Sequence, residues 1–97
     1  MLVTGLDKIS KFIERHPEAR PPLTYWLKTI ESNNFDHFVG LRQSFNSVDY
    51  DRKSKETIFD IGGNKFRLIC VVLYTINSIR ILEVLTHEEY DKRNKRR

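Results

Sequence analysis

The spacing of apolar residues changes character near the middle of the chain. In the first half Leu6, Ile9, Phe12 and Ile13 recur at helical intervals, a stripe that predicts an amphipathic helix over residues 4–16. His16-Pro17 closes it, because the residue before a proline is steered away from the helical region. A second helix is expected from Pro21-Pro22, where first-turn N–H groups have no internal partners anyway, with Leu23, Trp26, Leu27 and Ile30 on its buried side. Ser32, Asn33 and Asn34 interrupt the pattern, and residues 35–45 predict one or two further helical turns around Phe38 and Leu41.

Residues 46–56 are polar and charged, with the basic cluster Arg52, Lys53 and Lys55, and read as a surface loop leading into a sheet. From there the period becomes two. Residues 57–61 predict a strand with Phe59 and Ile61 on one face, and Gly62-Gly63-Asn64 supplies residues that accept positive φ in a tight hairpin. Residues 66–74 are apolar on both faces except for Arg67, as expected of a central strand covered on both sides for most of its length. Asn77-Ser78 marks the next turn and residues 79–85 a third strand. Thr86 followed three residues later by Glu89 forms a capping box, so a short terminal helix should start at His87. The order of elements argues an α+β fold with the helices on one face of the sheet, two N-terminal helices packed on three to four mainly antiparallel strands and then a short C-terminal helix.

Ninety-seven residues are the size of one domain spanning 1–97. The net charge of +4 and pI near 9.4 invite a nucleic-acid reading. The segment 91–97 holds five cations and one acid, however, so residues 1–90 carry twelve charges of each sign and the excess belongs to the tail. The longest apolar run, residues 68–74, is far short of the roughly 18–20 residues a membrane span requires, and no basic segment followed by a long apolar stretch suggests a signal peptide. Cys70 stands alone inside that run, which fits a buried thiol in a reducing compartment, the cytoplasm, better than a disulfide or a metal ligand.

Arg67 is the odd residue of the sheet. A cation on an apolar strand is paired with an acid such as Glu83 or Asp60, snorkels, or awaits an anionic ligand. By strand parity Lys65 points to the same side, and two cations at that spacing suit a phosphate. His87 and Tyr90 are three apart on the terminal helix and share a face. The helix N-terminus favours the neutral imidazole that a general base needs, although by pattern alone an exposed first-turn histidine and a packing tyrosine are the simpler explanation of the pair. His16 and His37 have no partner at ligand spacing, so structural roles are expected of them. No P-loop, GxSxG, CxxC or GxGxxG occurs.

Phe59-Asp60-Ile61-Gly62-Gly63-Asn64-Lys65-Phe66-Arg67-Leu68, then a twelve-residue interval, then Ile81-Leu82-Glu83-Val84-Leu85-Thr86-His87-Glu88-Glu89-Tyr90-Asp91-Lys92, resembles the signature of HigB toxins of bacterial type II toxin-antitoxin systems. The resemblance is strong over residues 45–92 and loose over the N-terminal helices, where Pro21-Pro22 departs from the family pattern. It implies a RelE-like microbial ribonuclease fold and ribosome-dependent, metal-independent cleavage of messenger RNA by the RNA's own 2′-hydroxyl. It implies a helix-turn-helix antitoxin of the HigA type as partner, with operator DNA reached only through that complex, and no cofactor. Carried onto this chain, Arg67 would stabilise charge on the scissile phosphate, His87 would act as base or acid, and Tyr90 would stack on a base or assist proton transfer. Lys55 is a further catalytic candidate, and Lys53, Asn64, Lys65 and Lys92 are candidate RNA contacts. The alternative is a non-catalytic RNA- or antitoxin-binding member of the same fold. A DNA-binding protein in its own right is disfavoured, since no recognition helix is visible.

Overall fold

The computed structural model describes residues 1–95, the side chain of Lys95 excepted. The elements run β1 (Leu2–Thr4), α1 (Leu6–Arg15), a 3₁₀ turn (Pro17–Ala19), α2 (Arg20–Glu31), α3 (Phe38–Ser44), β2 (Asp49–Asp51), β3 (Glu56–Ile61), β4 (Phe66–Leu73), a second 3₁₀ turn (Tyr74–Ile76), β5 (Ser78–Thr86) and α4 (His87–Lys95). The strands form a five-stranded sheet in the order β1-β5-β4-β3-β2, with β1 parallel to β5 and every other pair antiparallel.

The three central strands follow the sequence pattern closely. The period-two stretches become β3, β4 and β5, the Gly62-Gly63 hairpin closes with both glycines at positive φ (64° and 73°), and Phe66 through Cys70 are buried on both faces. The two edge strands are additions. β1 is three residues long, too short to show a period, and exists because Leu2, Val3 and Thr4 pair with Ser78, Ile79 and Arg80 on the distant β5. β2 lies inside the polar stretch expected to be loop, because an outermost strand needs only one covered side and Asp49, Tyr50 and Asp51 pair with Ile58, Thr57 and Glu56. The first helix starts at Leu6 rather than residue 4, since Thr4 belongs to β1 and Gly5 turns the chain at φ 84°. Pro21 and Pro22 fall in the first turn of α2.

On one face of the sheet α1 and α2 deliver Ile9, Phe12, Ile13, Leu23, Trp26 and Ile30 onto Phe59, Phe66, Leu68, Ile79 and Ile81, all buried. Edge-to-face ring contacts join the layers, Phe12 on Phe66 at 5.3 Å and both Trp26 and Phe45 on Phe59 at 5.4 and 5.1 Å between centroids. The opposite face carries Glu56, Ile58 and Asp60 of β3, Arg67 and Ile69 of β4, and Glu83 of β5 in register. There the expectation of helices on a single face is corrected, for α4 lies across this second face, joined to Arg67, Glu56 and Glu83. The contacts that hold it there come from Arg67 and Glu56 and, through a register shift between Ile69 and Cys70 that leaves Leu82 as an extra residue, from Glu83. The bulge resets which side chains of β5 face α4.

Candidate active site

Arg67 stands at the centre of the α4 face. It is 8% exposed and sits opposite Asp60 in the β3–β4 ladder, with its Nε donating to Asp60 Oδ1 at 3.0 Å. Of the two pairing acids considered from the sequence, the fold selects Asp60. The other donors also have partners: Nη1 donates to the carbonyls of Asn64 and Phe66 at 3.2 and 3.1 Å, and Nη2 to Asn64 Oδ1 at 2.6 Å and to His87 Nδ1 at 3.0 Å. A guanidinium has five N–H groups in a fixed plane, and all five are engaged. The glycine hairpin makes this possible by turning Asn64 over the start of β4, the strand that follows it. The Tyr90 ring completes the surround, 5.6 Å from the guanidinium carbon, a cation–π arrangement.

His87 is held from both sides. Its backbone N–H donates to the Lys65 carbonyl at 2.8 Å, which ties the start of α4 to the hairpin. The capping box is formed as expected, with the Thr86 N–H donating to Glu89 Oε1 at 2.9 Å and the Glu89 N–H to Thr86 Oγ1 at 3.1 Å. Its Nδ1 faces both Arg67 Nη2 at 3.0 Å and the Asn64 carbonyl oxygen at 3.1 Å, so it accepts from the first in one tautomer and donates to the second in the other, while Nε2 lies 3.0 Å from Asp91 Oδ2. Asp91 was not singled out from the sequence. Its spacing of four from His87 on a helix was the available signal.

Tyr90 is shared between Arg67 and a cleft of about 390 Å³ lined by Asp49, Asp51, Lys53, Ile58, Tyr90 and Asn94. The structure therefore brings Lys53 beside the Arg67–His87–Tyr90 group, along with Asn64 and the exposed Lys65 of the hairpin. Lys55 goes elsewhere. It adopts φ 60° in the β2–β3 turn and lines a separate apolar cavity with Phe38, Tyr50, Thr57 and Tyr74. Lys92 is exposed and lies 3.7 Å from Glu88, one turn back on α4. Among the described residues no three His, Cys, Asp or Glu side chains gather as a metal-binding group. His16 rests on the Phe12 ring at 4.6 Å, and His37 precedes α3 in an extended conformation.

A buried arginine fixed by a hairpin asparagine, with a histidine and a tyrosine on the helix above it, joins the two segments that carry the resemblance noted in the sequence. Residues 19–93 match the pattern of HigB_toxin, the RelE-like toxic component of a toxin-antitoxin system. The chain belongs to the HigB toxin family. It is 32% identical over 79 residues to the mRNA interferase toxin HigB of Escherichia coli K12, across 80% of this chain and 76% of that protein. The mRNA interferase HigB of Shigella flexneri is similar to the same degree. The mRNA interferase HigB of Escherichia coli O6:H1 is 24% identical over 79 residues, across 80% of this chain and 77% of the relative. As a HigB family member the chain is a toxin whose partner is an antitoxin, and no described helix is long and apolar enough to cross a membrane.

Proposed function

We propose that this chain is an mRNA interferase that cleaves messenger RNA within the translating ribosome, in the cytoplasm, and is neutralised by a HigA-type helix-turn-helix antitoxin through which alone it reaches operator DNA. The supporting observation is the contact of Arg67 with His87 under the Tyr90 ring, which sets a cation, a proton-transfer group and a stacking surface within one side-chain length of each other.

In this reading the 2′-hydroxyl preceding the scissile bond attacks the phosphorus, and its proton passes to a base. The bond to the 5′-oxygen breaks, and that oxygen takes a proton from an acid. The products are a 2′,3′-cyclic phosphate and a 5′-hydroxyl. Proton transfer at a positioned imidazole and charge stabilisation by a guanidinium are sufficient for this chemistry without a metal ion. His87 supplies the proton-transfer group, and Asp91 holds its ring. Arg67 meets the phosphate by exchanging a neutral acceptor, the Asn64 side-chain oxygen, for a phosphate oxygen, a stronger charge-assisted partner. Tyr90 offers its free face to a base, and Lys53, Asn64, Lys65 and Lys92 contact the backbone. For Lys55 to join them, RNA must reach across the β2–β3 hairpin.

The saturation of Arg67 by five protein acceptors favours the alternative, a non-catalytic member that binds RNA or antitoxin only. One experiment separates the two: purified protein is incubated with translating ribosomes and the mRNA ends are mapped. New 5′-hydroxyl ends absent from an Arg67→Ala reaction are expected. Intact mRNA in both reactions would establish the alternative, and equal cleavage of free RNA would remove the ribosome from the proposal.

A further inference from the structure

Helix α4 carries His87 and Tyr90, yet none of residues 87–94 is buried. It has no apolar stripe to hold it on the sheet, which is how a helix of this length is usually held. Its N-terminal end is tied at His87. About one and two-thirds turns further on, roughly 9 Å along the axis, Arg93 reaches down to the same face. Its Nη2 donates to both carboxylate oxygens of Glu56 at 2.9 Å, and its Nε to Glu83 Oε2 at 3.0 Å. Glu56 is on β3 and Glu83 on β5, so the guanidinium spans the sheet across β4.

We propose that Arg93 is a positioning residue for the site: by clamping the far end of α4 to Glu56 and Glu83 it fixes where His87 and Tyr90 stand over Arg67. A helix held only over its first turn, at His87 and Tyr90, can still swing its far end, and an anchor at Arg93 on the same face removes that freedom. The charges around Arg93 argue against its serving as an RNA contact. The Arg93 guanidinium faces the Glu56 and Glu83 carboxylates, so its donors are directed into the protein rather than toward a phosphate. Glu56, 8% exposed, requires a cation once it is desolvated.

The inference rests on the mRNA-cleaving reading, and its test has an arm that does not. Arg93→Gln is compared with wild type by amide hydrogen exchange, by the ¹⁵N signals of the His87 ring, and by kcat and KM for mRNA cleavage on ribosomes. Expected are at least tenfold faster exchange along α4 with β3–β5 unchanged, His87 ring signals displaced from their wild-type positions, and kcat down at least tenfold with KM within twofold. Arg93→Lys, which keeps the charge but cannot fork to both acids, should remain impaired. Should Arg93→Gln fail to fold, Glu83→Gln removes the half-exposed partner alone and should shift the same three readouts less. A raised KM with kcat and α4 exchange unaltered, or restoration by Lys, would overturn the proposal in favour of an RNA contact. Unchanged exchange and ring signals would overturn it outright. If wild type cleaves nothing, the exchange and ring signals still decide whether Arg93 holds the helix.

Discussion

Arg67 Nη2 lies 3.0 Å from His87 Nδ1, across 20 residues of sequence. The same Nδ1 lies 3.1 Å from the Asn64 carbonyl oxygen, so a buried strand residue and the hairpin together hold the ring of a half-exposed helix residue. Asp91, on the far side of the ring, lies 3.0 Å from Nε2.

Arg67→Lys keeps the charge and loses the planar fork, since an ammonium cannot serve Asp60, Asn64 and His87 together. Cleavage should fall about 10²–10³-fold, the scale of a lost electrostatic donor at a transition state, in single-turnover measurements on ribosome-bound mRNA. Near-wild-type cleavage would show that the fork is dispensable.

His87→Gln should lower cleavage by about 10²–10⁴-fold, the range for a positioned proton-transfer group, and relieve growth arrest on expression. Asp91→Asn retains an oxygen acceptor for Nε2, and its loss should stay within about tenfold. An Asp91→Asn defect as deep as that of His87→Gln would move Asp91 from orienting the ring into the proton transfer itself.

Gly5 and Gly63 both adopt positive φ, yet their substitutions should differ. At Gly63 an added methyl meets nothing within 4 Å, leaving only the left-handed backbone cost of about 1–2 kcal/mol. At Gly5 a Cβ would lie 2.6 Å from the Ile81 carbonyl oxygen, in the seam where the chain leaves β1 for α1. Gly5→Ala should therefore lower Tm by more than Gly63→Ala, in which each kcal/mol corresponds to about 4–8 °C. Equal shifts in calorimetry would contradict the tight approach at Ile81.

Burial pushes the Tyr74 phenol up to about 12 from its ordinary 10.0, with Cys70 and Tyr50 adding to the rise. Burial likewise pushes the Cys70 thiol up, reinforced by the charge of Glu56. In both cases the folded state holds its proton more tightly than the unfolded state, so stability is complete below the unfolded values, near 9 and 10, and declines as pH rises toward 12. Denaturant titrations from pH 8 to 11 should show that decline. Tyr74→Phe, which also removes a buried hydroxyl lacking a partner among the described residues, should lessen it. Cys70 should resist thiol reagents until the protein unfolds, and rapid labelling of the native protein would contradict its burial.

Much of the fold was legible because its signals are local. Leu6, Ile9, Phe12 and Ile13 mark a helix face, Gly62-Gly63 marks a hairpin, and Thr86 with Glu89 marks a helix start, each within a few residues. β1 and β2 were not legible, because three residues hold no period and their pairing is decided by strands far along the chain. The side of the sheet taken by α4 was hidden for a similar reason, since its contacts are with Arg67, Glu56 and Glu83 on three different strands.

The site divides along the same line. From the sequence alone came the family resemblance, the exceptional place of Arg67 on an apolar strand, and the shared face of His87 and Tyr90, since residue type and spacing suffice for these. Only the tertiary structure decided that Arg67 pairs with Asp60, that Lys53 and not Lys55 stands beside Tyr90, and that Arg93 belongs to the body of the protein. Counting charge had placed Arg93 in a basic tail, of which residues 96 and 97 lie outside the described structure. Charge count is a property of the chain, but whether a cation is solvated or clamped between Glu56 and Glu83 depends on strands 37 and 10 residues away in sequence, brought together only by folding.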